Sequence, residues 1–204
     1  MWFSELYQYW VGEKDFETFP KRPLILTFDD GYVDNLTNAS PLLKKYGCKA
    51  NLFLLSNTAI THNNWDDPEG GGPAALMNSQ QRRSLLEFPW EIGSHGRDHL
   101  RLTEVSQDVA LDQMLSSKKS LEIEFQKPVF AFAYPFGSTN EKLPELARRA
   151  DYHFALNTDT GGMHIADDPQ SLFRVNVFPE DSWLQLLKKT SSWYRRYFYW
   201  KRKH

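Results

Sequence analysis

The sequence predicts a single α/β domain built on a mostly parallel sheet, spanning residues 1–204. Short apolar runs alternate with amphipathic stretches along the chain, the pattern of strands that lie between covering helices. No internal repeat or long linker divides it. The two densest groups of acid and imidazole side chains each follow directly on an apolar run, which is where parallel α/β folds gather their functional groups. With 204 residues and 41% apolar content, the chain is long enough for one well-buried core.

The clearest strands are expected at 24–28, 51–55, 91–94 and 129–133, with weaker ones at 152–156 and 172–178. Ser40-Pro41 reads as an N-cap followed by proline at the first helical position, and Gly47 as the stop of that helix. The longest helix is expected over 107–125, with Leu111, Met114, Leu115, Leu121 and Phe125 near one face, and Pro128 blocks its extension. Further helices are expected over 140–149 and from 182 onward. Between 61 and 78 lies a polar, glycine-rich loop containing Trp65. No Gly-Lys-Ser/Thr follows its glycines, so it is not a phosphate-binding loop. It reads equally as a surface loop near a substrate mouth and as a plain insertion.

Composition removes several functional classes. A net charge of -2 argues against a nucleic-acid surface. The single cysteine, Cys48, excludes an internal disulfide and any cysteine-based metal cluster. Aromatic residues make up 15% of the chain, enough to offer sugar-stacking surfaces, although core filling accounts for most such content. No apolar run approaches the roughly 20 residues of a membrane span, and the first residues lack the basic and apolar regions of a secretory signal. The expected location is cytoplasmic or membrane-peripheral, or extracytoplasmic had an N-terminal segment been removed. Nothing in the sequence reports oligomeric state.

The chemistry sits in two clusters. Thr27-Phe28-Asp29-Asp30-Gly31 ends a strand in two adjacent carboxylates that repel when both are ionised. A bound cation relieves them, leaving one carboxylate as ligand and the other as base. Asx-turn chemistry explains the same residues equally well in isolation. His95 and His99 stand four apart after the 91–94 segment, a spacing that puts two imidazoles on one side of a helical turn, able to meet a single ion. Asp98 is placed either to orient an imidazole or to cap a helix. One carboxylate and two histidines leave open positions on an ion, as in catalytic zinc sites and in non-haem iron oxygenases. The spare carboxylate, Asp29, favours hydrolysis, which needs a base for water.

These motifs resemble the polysaccharide deacetylase family, carbohydrate esterase family 4, over roughly residues 22–178. Thr-Phe-Asp-Asp-Gly is intact at 27–31, and the His-Ser/Thr-x-x-His motif appears at His95–His99 with Gly96 in the hydroxyl position. The third motif appears as Ala133-Tyr134-Pro135-Phe136-Gly137, the form of the branch that deacetylates poly-N-acetylglucosamine exopolysaccharides. The resemblance implies a distorted (β/α) barrel, TIM-barrel-like but with fewer than eight regular repeats. It further implies hydrolysis of N-acetyl groups from N-acetylated amino sugars in a polysaccharide or glycan intermediate. Asp30, His95 and His99 would bind a divalent ion, zinc first and cobalt, nickel or manganese as alternatives. Asp29 would be the base, the Phe136 N–H an oxyanion donor, and Tyr134 and Pro135 substrate contacts.

Two family features are missing at their usual places. The motif arginine that pairs with the base is Ala133 here, and Arg174 is the nominated substitute. Neither of the family's usual general-acid histidines is found, which leaves His164 as the first candidate, with His62 and His153 behind it. A catalytically silent, carbohydrate-binding member of the same fold is therefore an alternative reading, and a deacetylase of lipid-linked sugars is another. The segment 182–204, above all 193–204, interleaves aromatic with basic residues. It reads either as a peripheral membrane contact or as a terminal helix whose aromatics pack on the core.

Overall fold

In a computed structural model, which describes residues 1–65, 73–158 and 167–203, the apolar runs form six parallel strands. These are β1 (Leu26–Phe28), β2 (Ala50–Leu54), β3 (Trp90–Ser94), β4 (Ala131–Ala133), β5 (Phe154–Thr158) and β6 (Leu172–Arg174). They pair in sequence order, so β1 and β6 are the edges of the sheet. The sheet curls until Arg174, at the end of β6, reaches Asp29, just beyond β1. The result is an open half-barrel, the distorted and incomplete form expected.

Alternation along each strand divides the side chains between two cores. Facing inward are Phe53, Ala131, Ala133, Phe154 and Leu156. Facing outward are Leu52, Leu54, Trp90, Ile92, Phe132 and Ala155, which pack against the covering helices. The period of two carries past the strand ends: Asp29 continues the inward row of β1, and His95 that of β3. Arg174 lies on the inward row of β6. Functional side chains at one rim of the barrel are thus a direct consequence of strand phase.

The sequence reading assigned no element to the N-terminus, yet a helix, α1 (Phe3–Trp10), plugs the other end of the barrel. Phe3 is fully buried against the rings of Phe53 and Phe154, at 6.1 and 5.5 Å. The unpaired N–H groups at the start of a helix need acceptors. The inward-facing Glu91 carboxylate accepts from Phe3 and Ser4, at 2.7 and 3.1 Å. Burial pushes the Glu91 carboxyl above the ordinary range, and these hydrogen bonds offset only part of that.

Gly93 is required by packing. A Cβ at this position would lie 2.4 Å from the Phe53 ring, and Phe53 is completely buried. Gly93→Ala is expected to destabilise the domain by about 1–3 kcal/mol, the usual cost of overfilling a packed core. Urea denaturation checks this, and an unchanged midpoint would mean that the barrel interior is looser than described.

The covering helices are α2 (Ser40–Lys45), α3 (Ser79–Ser84), α4 (Gln107–Phe125) and α5 (Leu143–Arg149). The bounds of α4 match the expected 107–125. Its buried face, however, runs through Ala110, Met114, Ser117, Leu121 and Phe125, while Leu115 is exposed. Small side chains on that face let α4 approach β3, where the Ser94 and Ser117 hydroxyls meet at 2.7 Å. Ser40 is not an N-cap, because a π-helical turn, Asn35–Ala39, runs straight into α2. Its hydroxyl is buried, donating to the Asn35 carbonyl and accepting from the Trp90 indole. Two further helices, α6 (Trp183–Lys189) and α7 (Ser192–Lys203), follow β6. Among the described residues, no helix is long and apolar enough to cross a membrane.

Candidate metal centre

Asp30, His95 and His99 converge at the C-terminal rim of the strands. Each offers a ligand atom within 4.8 Å of the others. The Nε2 atoms of His95 and His99 lie 3.5 and 3.3 Å from the same Asp30 Oδ1. His95 Nδ1 sits 2.7 Å from the Ala133 carbonyl. A carbonyl can only accept, so Nδ1 carries the hydrogen, and in the neutral ring Nε2 presents a lone pair towards the carboxylate. Lone pairs facing one another across such distances fit a cation between them. Both imidazoles are buried. Burial first, and the neighbouring His95 second, lower the His99 pKa to about 3, so that ring is neutral over the physiological range. Two imidazoles and a carboxylate form the donor set of a divalent ion that keeps open positions.

The backbone is strained where it presents these groups. Asp30, His99 and Phe136 have φ of 69°, 54° and 60°, left-handed values that cost a non-glycine residue about 1–2 kcal/mol each. Strain of this kind persists where surrounding bonds overdetermine it. Gly31, also left-handed at φ 85°, returns the chain after the two aspartates, and a Cβ there would lie 2.4 Å from Leu54. The spacing of His95 and His99 is not that of a helical turn, as expected from the sequence, but of a loop bent at Gly96 (φ 83°).

That loop is tied from three sides. The Gln113 side-chain oxygen on α4 accepts from the Arg97 and Asp98 N–H groups. The Asp98 carboxylate accepts from Asn57, Arg97 and Gln113 at 2.7–2.8 Å. Asp98 therefore braces the loop and does not orient an imidazole; for His95 the Ala133 carbonyl fills that place.

Asp29 stands beside these three residues, with its Oδ2 4.0 Å from His95 Nε2. Both of its oxygens are held by Arg174, at 2.7 and 2.8 Å, in a two-pronged ion pair. Burial raises the Asp29 pKa, but the charge and hydrogen bonds of Arg174, with a contribution from His95, more than offset it and leave the carboxyl below its ordinary value. A guanidinium from β6 thus stands against the carboxylate that Ala133 leaves without its motif arginine.

The remaining nominated residues divide. Phe136 is at the site: its ring is 4.5 Å from that of His99, and the turn around it closes through the N–H groups of Gly137 and Ser138. The Tyr134 side chain, expected to touch substrate, is instead fully buried, with its hydroxyl donating to the Gln170 carbonyl. Burial raises its pKa, and no surface is left for a sugar. Strand phase explains this, since Tyr134 takes the outward direction between inward Ala133 and the turn. Pro135 is buried too, its ring 3.8 Å from where a Cβ on Gly96 would sit, so it packs on the histidine loop. His153 precedes β5, at the opposite end of the barrel, stacked on Tyr7 at 4.2 Å. His62 is exposed, with its Nδ1 on the Thr61 hydroxyl. His164 and the glycines at 70–72 lie outside the described residues.

Two residues were not singled out as site residues. Trp65 stacks on His99 at 3.9 Å, and the Arg101 guanidinium lies 4.1 Å over the Phe136 ring. Arg101 carried a usable signal, since it stands two residues past a ligand histidine. Trp65 carried only its place in the 61–78 loop.

The family model described as "Polysaccharide deacetylase" matches residues 16–155. A relative from Bacillus subtilis (strain 168), provisionally named polysaccharide deacetylase YxkH, is 30% identical over 156 residues, covering 76% of this chain and 52% of that protein. The poly-beta-1,6-N-acetyl-D-glucosamine N-deacetylase of Staphylococcus epidermidis is 30% identical over 140 residues, covering 64% and 46%. Among solved structures, Streptococcus pyogenes deacetylase PplD in complex with acetate superposes with a TM-score of 0.76 at 27% identity, covering 94% of this chain and 79% of that one. The chain spans about half the length of the curated relatives it matches.

Proposed function

Because the chain belongs to the polysaccharide deacetylase family, we propose that it hydrolyses N-acetyl groups from amino-sugar units of a glycan, using a divalent ion held by Asp30, His95 and His99. Zinc suits two imidazoles and one carboxylate, and cobalt, nickel or manganese suit them as well. The observation that carries this reading is the convergence of three ligand atoms beside a separate carboxylate clamped by Arg174. A carbohydrate-binding role would require the ligands at most. It gives no reason to hold a second carboxylate ionised next to them.

An ion in this site supplies a Lewis acid for the acetamide carbonyl and makes its bound water more acidic. Asp29 accepts the proton of the attacking water, and Arg174 holds that carboxylate ionised and oriented before the step. The Phe136 N–H donates to the oxyanion of the tetrahedral intermediate, from a turn whose neighbouring N–H groups are spent on the Tyr134 and Pro135 carbonyls. One such donor is worth roughly 3–4 kcal/mol. The leaving nitrogen takes up a proton as the C–N bond breaks. Trp65, stacked on His99, and Phe136, tilted against it, supply aromatic surface beside the site for a pyranose.

The test is acetate release from N-acetylglucosamine oligomers by metal-loaded protein, before and after chelation. Release that stops on chelation and returns with zinc is expected. Stoichiometric metal with no acetate release from any oligomer would favour the silent sugar-binding reading instead. Release that is indifferent to chelation would remove the metal from the mechanism.

A further inference from the structure

We propose that α6 and α7 form a docking surface for an anionic lipid bilayer. Residues 182–204 contain seven lysines and arginines and no acid, whereas the preceding 181 residues carry 17 basic and 26 acidic residues. The opposed charge is confined to these two helices. Much of their apolar surface faces solvent: Trp183, Leu184, Leu187, Trp193, Tyr197 and Trp200 are each 44–68% exposed. Tyr194 and Tyr199 are partly buried, so the helix also turns aromatic side chains away from solvent.

On α7, Trp193, Tyr197 and Trp200 recur at i, i+4 and i+7, a single stripe along the helix. Lys188 at the end of α6 lies 5.6 Å over the Trp193 ring, which joins the two helices into one aromatic and basic surface. Interfacial tryptophan and tyrosine beside basic residues is the composition that seats a helix at the headgroup level of an anionic membrane. The chemistry excludes two other occupants. A sugar gains from the aromatic rings but not from exposed leucines. A second copy of these helices would bring positive charge against positive charge.

The first of these helices is tied to the segment that leads out of β6. Lys189 pairs with Asp181 at 2.6 Å and donates to the Asn176 carbonyl, two residues beyond Arg174.

Co-sedimentation of the full chain with lipid vesicles tests this. Vesicles with about a third phosphatidylglycerol are expected to retain the protein at 0.1 M salt and release it at 0.5 M, and neutral phosphatidylcholine vesicles to retain little. Arg196→Gln/Lys201→Gln should weaken anionic-vesicle binding about 30-fold, at roughly fivefold per basic residue. Trp193→Ala/Trp200→Ala should weaken it at least tenfold, with circular dichroism and acetate release from a soluble oligomer unchanged in both variants. Equal binding by the wild type and the charge variant, or retention by a soluble acidic polysaccharide but not by vesicles, overturns the proposal.

Discussion

Asp29→Asn is expected to retain a full complement of metal while kcat falls by about 10²–10⁴-fold, the range that a positioned general base contributes. His95→Ala, by contrast, should lose both metal and turnover. The contrast follows from geometry. Asp29 is turned to Arg174, whereas His95 and His99 are turned to Asp30. An asparagine at 29 keeps the size of the side chain but removes the group that accepts a proton, together with one arm of the Arg174 pair. Metal content by mass spectrometry and initial rates on the same preparations separate the two roles. Undiminished activity in Asp29→Asn would remove the base assignment, and metal loss in that variant would make Asp29 a ligand.

Arg174→Gln acts on the same group from the other side. Arg174 opposes the burial that would otherwise raise the Asp29 carboxyl. Without the guanidinium, that carboxyl moves up, and the acidic limb of kcat/KM should move to higher pH, because an adjacent opposite charge favours the ionised form. The sign for stability follows the same shift. A carboxyl depressed in the folded state contributes stability above its unfolded pKa, and that contribution is lost as pH falls through the folded value. The variant should therefore be less stable at neutral pH, by about 2 kcal/mol, and should lose less on acidification. That figure is below the usual cost of breaking a buried pair because Asp29 remains 28% exposed. Arg174→Lys keeps the charge but not the fork, so it should fall between. An unmoved acidic limb in Arg174→Gln would leave Arg174 a structural partner only.

Much of this was legible in the sequence because strand phase is. Short apolar runs fixed six strands, and residues just past their ends had to face the rim. The three converging side chains could be picked out because a paired acid motif and a histidine pair each sit at such an end. Arg174 was readable as a strand-end arginine, but its partner lies 145 positions away, a separation no local pattern spans. Tyr134 misled because a motif position was read without its phase, and one step along the strand turns a substrate contact into a core residue. Asp98 and the supposed helical turn at His95 misled because four-residue spacing arises equally in a loop bent by glycine. The N-terminal plug was missed for a different reason. Phe3 and Glu91 acquire meaning only once a barrel exists to be closed.

The Asp29–Arg174 pair joins the first strand to the last, across the open seam of the half-barrel. During synthesis, all three ligand side chains have been made once the chain reaches His99. The guanidinium that disciplines the neighbouring carboxylate arrives seventy-five positions later, with the final strand. The growing polypeptide thus carries the three candidate ligand side chains well before the arginine, and closure of the seam brings the two together.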